Sequence, residues 1–376
     1  MRVALVTSSY SPYAGGVETH VQAVAQELAQ RGHSVQVWTV QRDGKHIVRE
    51  LDGITVVELP TPLPARTLPS ILSWVARAPS AALAWSRAHR RFQPQMLHVH
   101  CFGPNGTYGW ALSMLMRTPL VLSSHGETMA DQDRLFETSA LAKWSMRKAI
   151  GRASSVTGCS EVVLDDLRDR FGLAPTAGSV VPNGVEPLPE DSTRRNDGAL
   201  VVAVGRLVEV KGFDLLMKAF ARADLPGDTR LVIGGDGPCF AELERLSRKL
   251  GIDDRLDLPG RLSAESVRQL MASARVVVVP SRFEAFGITA LEAWRSGAPV
   301  IATTRGGLRE FISDGDDGML IDPEKTDDLA VALAVLVNDP RRARKMGEAG
   351  KRRVREFTWA AVVDGYEREY AKLDLT

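Results

Sequence analysis

The sequence predicts an α/β protein made of two doubly wound domains, each a parallel sheet flanked by helices. Short apolar strands alternate with helical stretches along almost the whole chain, which is typical of parallel sheets covered on both faces. The 376 residues exceed the usual size of one domain. A loop from Pro182 to Gly198 is rich in proline, glycine and charge, which is typical of a linker.

The elements follow in order along each half. Apolar runs in the first half predict strands at residues 2–7, 34–40, 54–59, 96–100, 119–123, 155–158 and 178–181, with helices between them. The second half predicts strands at 199–204, 230–234, 255–258, 276–279, 298–302 and 318–321. We expect domains at 1–185 and 186–356, with a last helix, 357–376, that packs back on the first domain because no strand follows it.

Composition points to a cytoplasmic protein. Cys101, Cys159 and Cys239 are scattered singly, without the paired spacing of zinc sites or disulfide frameworks. The chain opens directly with a strand, and no apolar run approaches the roughly 18 residues that a membrane span needs. The net charge of +1 does not favour nucleic-acid binding.

The first half is the more basic half. Residues 1–185 hold 18 Lys and Arg against 14 Asp and Glu, and no acid lies between Glu58 and Glu127. One helical face within residues 70–92 carries the apolar Ile71, Val75, Ala78, Ala82 and Trp85 together with His89. We favour a helix packed on its own sheet, which Pro79 would kink or break. The alternative is contact with an anionic membrane surface.

The segment from Glu284 to Glu292 follows a predicted strand and carries a carboxylate at each end. If the segment were helical, its eight steps would rotate about 800° and set the carboxylates roughly 80° apart. Gly287 would let the backbone approach a ligand, and the N–H groups of the new helix would face an anion. The segment therefore predicts a site for a phosphorylated sugar.

Two cations lie in the loop after strand 199–204. Arg206 and Lys211 precede a helix N-terminus, an arrangement that would neutralise a diphosphate. A solvated basic loop is the alternative if this segment is taken alone.

Three further loops are weaker signals. The turn from Gly234 to Pro238 follows a strand, and Gly15-Gly16 opens a helix after strand one, but the full GxGxxG spacing is missing. That absence counts against a nicotinamide-dependent oxidoreductase. His125 follows strand 119–123, and a lone histidine in such a place is usually structural.

In combination these motifs resemble the family 4 retaining glycosyltransferases of glycosyltransferase group 1. The resemblance spans nearly the whole chain and is carried, in order, by Gly15-Gly16-Val17-Glu18, Val181-Pro182-Asn183-Gly184-Val185, Gly205-Arg206 with Lys211-Gly212, Gly234-Gly235-Asp236-Gly237-Pro238, Glu284-x7-Glu292 and Gly297-Ala298-Pro299-Val300. It implies the GT-B fold, two facing Rossmann-like domains with the active site in the cleft between them. A nucleotide diphosphate sugar would bind to the second domain.

The resemblance also implies roles for individual residues. Arg206 and Lys211 would bind the diphosphate, Glu292 the ribose and Glu284 the sugar hydroxyls. His125 would lie at the reaction centre. The remaining donor-binding positions would be Gly16, Gly235, Leu262 near the base, and the backbone at Phe286, Gly287 and Ile288.

The implied reaction is transfer of a hexose-type sugar, with retention, to a hydroxyl of a small molecule, glycan or lipid. We expect no metal, since Arg206 and Lys211 supply the positive charge; the strings Asp131-Gln132-Asp133 and Asp314-Gly315-Asp316 are poor metal sites, and the second is typical of a turn. The alternative enzyme is a nucleotide-sugar epimerase or a transferase-like coupling enzyme of the same fold. A non-catalytic sugar-nucleotide sensor is disfavoured, because His125, Glu284 and Glu292 are all present.

Overall fold

The computed structural model describes residues 1–12, 15–42, 47–64, 67–129, 135–187 and 198–373. The chain forms two compact units, Met1–Pro182 with Trp359–Thr376, and Asn183–Thr358. Residues 188–197 of the predicted linker and the string Asp131-Gln132-Asp133 lie outside the described residues. None of the helices described is long and apolar enough to cross a membrane.

The first unit is built on an eight-stranded sheet. Its strands are β1 (Arg2–Thr7), β2 (Ser34–Val40), β3 (Val48–Leu51), β4 (Ile54–Leu59), β5 (Met96–His100), β6 (Leu120–Ser124), β7 (Ser155–Gly158) and β8 (Ser179–Val180), in the spatial order β3-β4-β2-β1-β5-β6-β7-β8. Its helices are α1 (Gly16–Gln30), α2 (Leu68–Phe92), α3 (Pro104–Met116), α4 (Leu135–Thr138), α5 (Ala140–Arg152), α6 (Glu161–Phe171) and α13 (Trp359–Tyr370).

The expectation of a purely parallel first sheet is wrong at one edge. Strand β3, which the sequence did not predict, pairs antiparallel with β4. Its four residues are Val48, Arg49, Glu50 and Leu51, and Val48 is half exposed. A short edge strand of this kind lacks the apolar run that marks a buried strand, so periodicity cannot find it.

Two apolar clusters cover the two faces of the first sheet. One includes Val24 and Leu28 of α1 together with Val363 of α13. The other includes Trp85 of α2 and Met146 of α5. Helix α13 packs against α1, so the last helix described contributes to the same core as the first.

Helix α2 differs from its prediction in two respects. It continues past Pro79 as one helix from Leu68 to Phe92. Only Ala81 and Trp85 are buried, whereas the N-terminal half carries exposed apolar side chains, Leu68, Ile71, Leu72 and Val75. The expected packing of the whole helix on its own sheet therefore holds only for the C-terminal half.

The second unit has a six-stranded, all-parallel sheet. Its strands are β9 (Leu200–Val204), β10 (Arg230–Gly234), β11 (Leu256–Asp257), β12 (Val276–Val279), β13 (Val300–Thr303) and β14 (Gly318–Ile321), in the order β11-β10-β9-β12-β13-β14. Its helices are α7 (Phe213–Arg222), α8 (Phe240–Leu250), α9 (Ala264–Ser273), α10 (Ile288–Arg295), α11 (Thr326–Asn338) and α12 (Pro340–Arg353).

Both sheets reverse their winding once. In the first unit β1 lies between β2 and β5, and in the second unit β9 lies between β10 and β12. Loops that leave neighbouring strands in opposite directions open a crevice at the carboxyl ends of those strands, and ligands of doubly wound sheets bind there. The loops after β1 and β5, and those after β9 and β12, are therefore where sites are expected.

Candidate functional site

The loop after β9 carries both predicted diphosphate ligands. Arg206 is exposed, and its guanidinium bonds to none of the residues that the structure describes. Lys211 ends a short 3₁₀ turn, and Gly212 follows with a φ of 66°. A Cβ at Gly212 would lie 2.0 Å from the carbonyl oxygen of Pro280, so only glycine lets the loop after β9 approach the loop after β12 this closely.

That close approach brings Lys211 to Glu284. The Lys211 Nζ lies 2.7 Å from Oε2 of Glu284, and the Ser281 hydroxyl donates to the same oxygen at 2.9 Å. The side chain of Glu284 is only 14% exposed, whereas that of Lys211 is 30% exposed. Two donors on Oε2 fix the carboxylate and leave Oε1 as the oxygen with acceptor capacity for a ligand.

The backbone of Glu284 is fixed as well. Its N–H donates to the carbonyl of Arg305, and its own carbonyl accepts from the N–H of Gly307. Gly306 is required between them, because a Cβ there would lie 2.0 Å from the Glu284 oxygen. The Glu284 carboxylate therefore belongs to a loop held against the end of β13, and the expected helical relation to Glu292 is wrong, since α10 begins only at Ile288.

Gly287 forms the N-cap of α10 with φ 97° and ψ 60°. A Cβ at this position would meet Leu308 at 2.5 Å. The first N–H groups of any helix have no partner within the helix, so those of α10 are available to an anion. Phe286 is buried and stacks on Phe311, with ring centroids 4.9 Å apart, which anchors the entry to the helix.

Glu292 lies in the second turn of α10 and is half-buried. Burial raises the pKa of its carboxyl group, and the positive charge of Arg295 opposes the rise. The Arg295 guanidinium in turn donates to the carbonyl of Glu186 at 3.1 Å. A carboxylate in this position can accept hydrogen bonds from two vicinal hydroxyl groups, as the predicted ribose role requires.

The glycine turn after β10 packs on the loop that carries Arg206. A Cβ at Gly235 would lie 1.8 Å from the carbonyl oxygen of Gly205, and the amide of Gly235 donates to the Gly260 carbonyl. Leu262 lies over the same turn, with a methyl carbon 2.6 Å from where a Cβ of Gly234 would be. Leu262 and Gly235 are thus brought to the same edge of the sheet as Arg206.

In the first unit, Gly16 begins α1 directly after the loop from β1, as predicted. His125 follows β6 and its turn contains Gly126 with φ 91°. Glu127 holds this turn, because its carboxylate accepts from the N–H of His125 at 2.7 Å and of Phe102 at 2.8 Å. Burial raises the pKa of Glu127, and these hydrogen bonds oppose the rise.

His125 belongs to a buried group of histidines. Its Nε2 lies 3.2 Å from Nδ1 of His100, at the end of β5, and its ring centroid lies 4.6 Å from that of His20 on α1. Burial lowers the pKa of His125 to about 4, so the ring is neutral at pH 7. The structure therefore places Gly16 and His125 at the carboxyl edge of the first sheet, and the remaining predicted residues at that of the second.

Three residues in these sites were missed from sequence. Ser281 orients Glu284, Glu127 holds the turn of His125, and His100 contacts its ring. The proximity of Ser281 and Glu127 to the predicted residues was a usable signal. No such signal existed for His100, since 25 residues separate it from His125 and only strand pairing brings the two together.

The string Asp314-Gly315-Asp316 forms a turn, as expected. Gly315 has φ 83°, and the carboxylate of Asp314 accepts from the backbone N–H of Leu320 at 2.9 Å. The neighbouring Asp317 accepts from the N–H of Ser313 at 2.8 Å. Two carboxylates bonded to backbone amides in this way stabilise the turn before β14.

Two family models match the chain in succession. The model described as Glycosyltransferase Family 4 matches residues 14–187, and the model described as Glycosyl transferases group 1 matches residues 185–353. The D-inositol 3-phosphate glycosyltransferase of Acidothermus cellulolyticus is 32% identical, over 97% of this chain and 88% of the relative.

Solved structures show the same fold. The sucrose-phosphate synthase of Thermosynechococcus elongatus superposes with a TM-score of 0.82 at 24% identity, covering 99% of this chain and 98% of that one. Anabaena HepE in complex with UDP-glucose superposes with a TM-score of 0.75 at 19% identity, covering 99% of this chain and 100% of that one. The chain therefore belongs to the group 1, family 4 glycosyltransferases and has their GT-B fold.

Proposed function

We propose that this glycosyltransferase transfers a hexose-type sugar, with retention of anomeric configuration, from a nucleotide diphosphate sugar to an acceptor hydroxyl. The observation that carries the proposal is the convergence of Lys211 and Ser281 on one oxygen of Glu284, at the sheet edge that also carries Arg206 and the N-terminus of α10. Fixed positive charge for a diphosphate thus adjoins a carboxylate oriented for sugar hydroxyls.

The chemistry follows from the leaving group. The bond between the anomeric carbon and the diphosphate oxygen breaks, the acceptor oxygen bonds to the same face, and the acceptor proton passes to the departing phosphate oxygen. Arg206, Lys211 and the first amides of α10 stabilise the negative charge that develops on the diphosphate. Because these charges are already present, the reaction needs no metal ion.

The donor class is supported by the arrangement of the second unit. Glu292 provides hydrogen-bond acceptors for the ribose, and Leu262 with Gly235 provides an apolar and backbone surface for the base. Anabaena HepE, which shares the fold, was solved with UDP-glucose.

The direct test combines binding with product analysis. A panel of UDP, GDP, TDP and ADP sugars is screened for the one that raises the melting temperature of the protein, since a ligand of the native state stabilises it. That donor is then incubated with candidate acceptors, and the product is examined by NMR. We expect an axial or equatorial linkage identical to that of the donor.

Two results would overturn the proposal. One is a linkage of inverted configuration, and the other is a stabilising donor whose nucleotide diphosphate is released equally without any acceptor. The second result would show hydrolysis of the donor in place of transfer, whereas an epimerase would return an isomeric nucleotide sugar without net release of the diphosphate.

We also propose that helices α2, α3 and α5 dock on an anionic membrane surface. α2 packs on α3, and α3 on α5. Leu72 and Val75 of α2, Leu115 of α3 and Trp144 of α5 are 49–70% exposed. These three helices contain cations and no Asp or Glu; the cations are Arg77, Arg87, Arg90, Arg91, Lys143, Arg147, Lys148 and Arg152. Exposed apolar side chains together with cations match the chemistry of an anionic lipid interface.

Vesicle flotation tests this surface. Vesicles with anionic lipid should carry the wild-type protein at low salt, and the double variant Leu72→Ser with Leu115→Ser should float markedly less. Val331→Ser, which changes an equally exposed apolar residue on α11 of the second unit, is the matched control and should float like wild type. Wild-type protein that does not float with the anionic vesicles at low salt would refute the proposal.

A further inference from the structure

Three histidines, from one helix, one strand and one loop, meet inside the first unit. His20 lies on α1, His100 ends β5, and His125 follows β6. Each ring offers one nitrogen, and these three nitrogens all lie within 4.8 Å of one another. His20 and His100 are fully buried, while His125 is only partly buried and gives the group its access to solvent.

We propose that His20, His100 and His125 bind one transition-metal ion, with Zn²⁺ as the preferred occupant. A tetrahedral zinc ion with Zn–N bonds of 2.0–2.1 Å separates its nitrogen ligands by about 3.3 Å. The Nδ1 of His100 and the Nε2 of His125 are 3.2 Å apart, close to that separation. Three imidazoles with a fourth position open to water form a known type of zinc site.

Hydrogen bonding accounts for only part of the arrangement, since Nδ1 of His100 and Nε2 of His125 lie within hydrogen-bond distance of each other. The Nε2 of His100 is buried and has no hydrogen-bond partner among the described residues. An unsatisfied polar atom in the interior is costly. The hydrogen bonds among the described residues therefore leave a ring nitrogen of this group unsatisfied.

The surrounding hydrogen bonds orient the ligands. The Tyr366 hydroxyl lies 2.9 Å from Nε2 of His20, so Nδ1 is the nitrogen of His20 that would ligate. His98 does not ligate, because both of its nitrogens are bonded, to Tyr370 and to Ser123, at 2.7 Å each. Its ring packs against that of His100, with centroids 4.0 Å apart, and supports it.

Ligand type defines the metal. The three ligands are all imidazole, which suits Zn²⁺, Cu²⁺ or Ni²⁺, whereas Mg²⁺ and Mn²⁺ prefer oxygen ligands. The site is therefore distinct from the magnesium or manganese sites of metal-dependent sugar transfer.

A regulatory consequence rests on the proposed function. If His125 lies at the reaction centre, an ion bound to its ring would withhold it from the substrates. Zinc would then inhibit an enzyme that needs no metal for turnover.

The test uses the purified full-length chain after treatment with a chelator and its removal. Zn²⁺ affinity is measured by competition with a chromophoric chelator, and Co²⁺ is used as a visible-absorbing probe. We expect one equivalent of tightly bound metal in the wild-type protein and at least tenfold weaker binding in His125→Asn. His89→Asn is the control, since His89 bonds to Thr118 outside this group, and it should bind like wild type.

Nitrogen NMR of the wild-type histidines keeps the test independent of variant folding. Zn²⁺ should shift the ring signals of His20, His100 and His125 and leave those of His33 and His89 in place. The proposal is overturned if wild-type protein binds no zinc, if His125→Asn and His89→Asn bind it equally, or if the shifts appear at other histidines.

These readouts do not depend on turnover. Protein that transfers sugar but binds no zinc would refute the metal site and leave the proposed function standing. Protein that binds zinc through these histidines but transfers no sugar would support the metal site and refute the proposed function.

Discussion

At the scale of single residues, the proposed donor site takes its fixed positive charge from Arg206 and Lys211. We expect Arg206→Ala and Lys211→Ala each to lower kcat/KM for sugar transfer by about a hundredfold or more, the effect of losing one preorganised charge contact. Steady-state kinetics with the identified donor measures this. Arg248→Ala, an exposed change in the last turn of α8, is the control and should leave kcat/KM unchanged. Near-normal rates in both site variants would refute the assignment.

Ser281 is a positioning residue whose effect passes through Glu284. Removing its hydroxyl takes away one of two donors to Oε2. Since a hydrogen bond to a charged group contributes about 1.5–3 kcal/mol, we expect Ser281→Ala to lower kcat/KM by about tenfold or more. Ser263→Ala removes a hydroxyl that caps α9, so it should cost stability and leave kcat/KM intact. Equal kinetics in the two variants would show that Ser281 has no part in positioning.

Several residues of the candidate site could be named from residue type and position in the sequence. Arg206, Lys211, Glu284 and Gly287 could be named from sequence because each lies in a loop directly after a strand, where the ends of parallel strands converge. The pairing of Lys211 with Glu284 could not be predicted from sequence. It depends on a close approach of two loops, and only a glycine at position 212 permits that approach. Sequence spacing shows which residues are near a strand end, not which of them touch.

At the scale of elements, a substitution at Gly287 tests how the start of α10, the helix proposed to bind the diphosphate, is held in place. Gly287→Ala must adopt φ 97° and also displace Leu308. We expect a loss of about 2 kcal/mol or more in the free energy of unfolding. Gly251→Ala is the matched control, with φ 65° and nothing within 4 Å of its Cβ, and should lose only about 1 kcal/mol. Urea denaturation compares them, and equal losses would mean that contact with Leu308 is unimportant.

Asp214 links α7 to the loop after β12. Its carboxylate is bonded to Arg282 at 2.7 and 2.9 Å and to Lys218 at 2.9 Å. Burial raises the pKa of Asp214, but these hydrogen bonds outweigh it and lower the pKa to about 2. A pKa that is lower in the folded chain stabilises the fold above the unfolded value of about 4, and this stabilisation is lost as the pH falls towards 2.

Because the pKa of Asp214 is lowered in the folded chain, the effect of Asp214→Asn on stability should depend on pH. The variant should be less stable than wild type at pH 7 by on the order of 1 kcal/mol, given solvent screening of a half-exposed group. The difference should shrink below about pH 4. Urea midpoints between pH 7 and pH 3 measure it. A difference that grows towards acid pH would contradict the assigned ion pair.

At the scale of the whole molecule, the absence of a metal requirement is a further prediction. Chelator-treated enzyme should keep its full rate of transfer, and added Mg²⁺ should not raise it, because Arg206 and Lys211 carry the charge that a metal would supply. The initial rate with and without EDTA measures this. Loss of activity that Mg²⁺ or Mn²⁺ restores would show that the cations of the loop are insufficient.

The general architecture was predictable because two sheets of buried strands repeat one alternation of strand and helix. Strands such as β12 and β14 were placed at their observed bounds, since four apolar residues between turn signals are unambiguous. The edge strand β3 was not predicted, because it lacks the pattern that burial imposes. The helix at α2 was predicted but the exposure of its first half was not, because apolar residues at helical spacing are typical of a buried face. Secondary structure and burial are therefore hardest to predict from sequence where an element is partly exposed.

Helix α13 has a consequence for how the protein is made on the ribosome. Tyr366 and Tyr370 complete the interior of the first unit around His20 and His98, yet they are translated after every residue of the second. During synthesis, the second unit can therefore finish folding while the first still lacks part of its interior. A nascent chain stalled before residue 359 would expose that unfinished surface and become a target for chaperones.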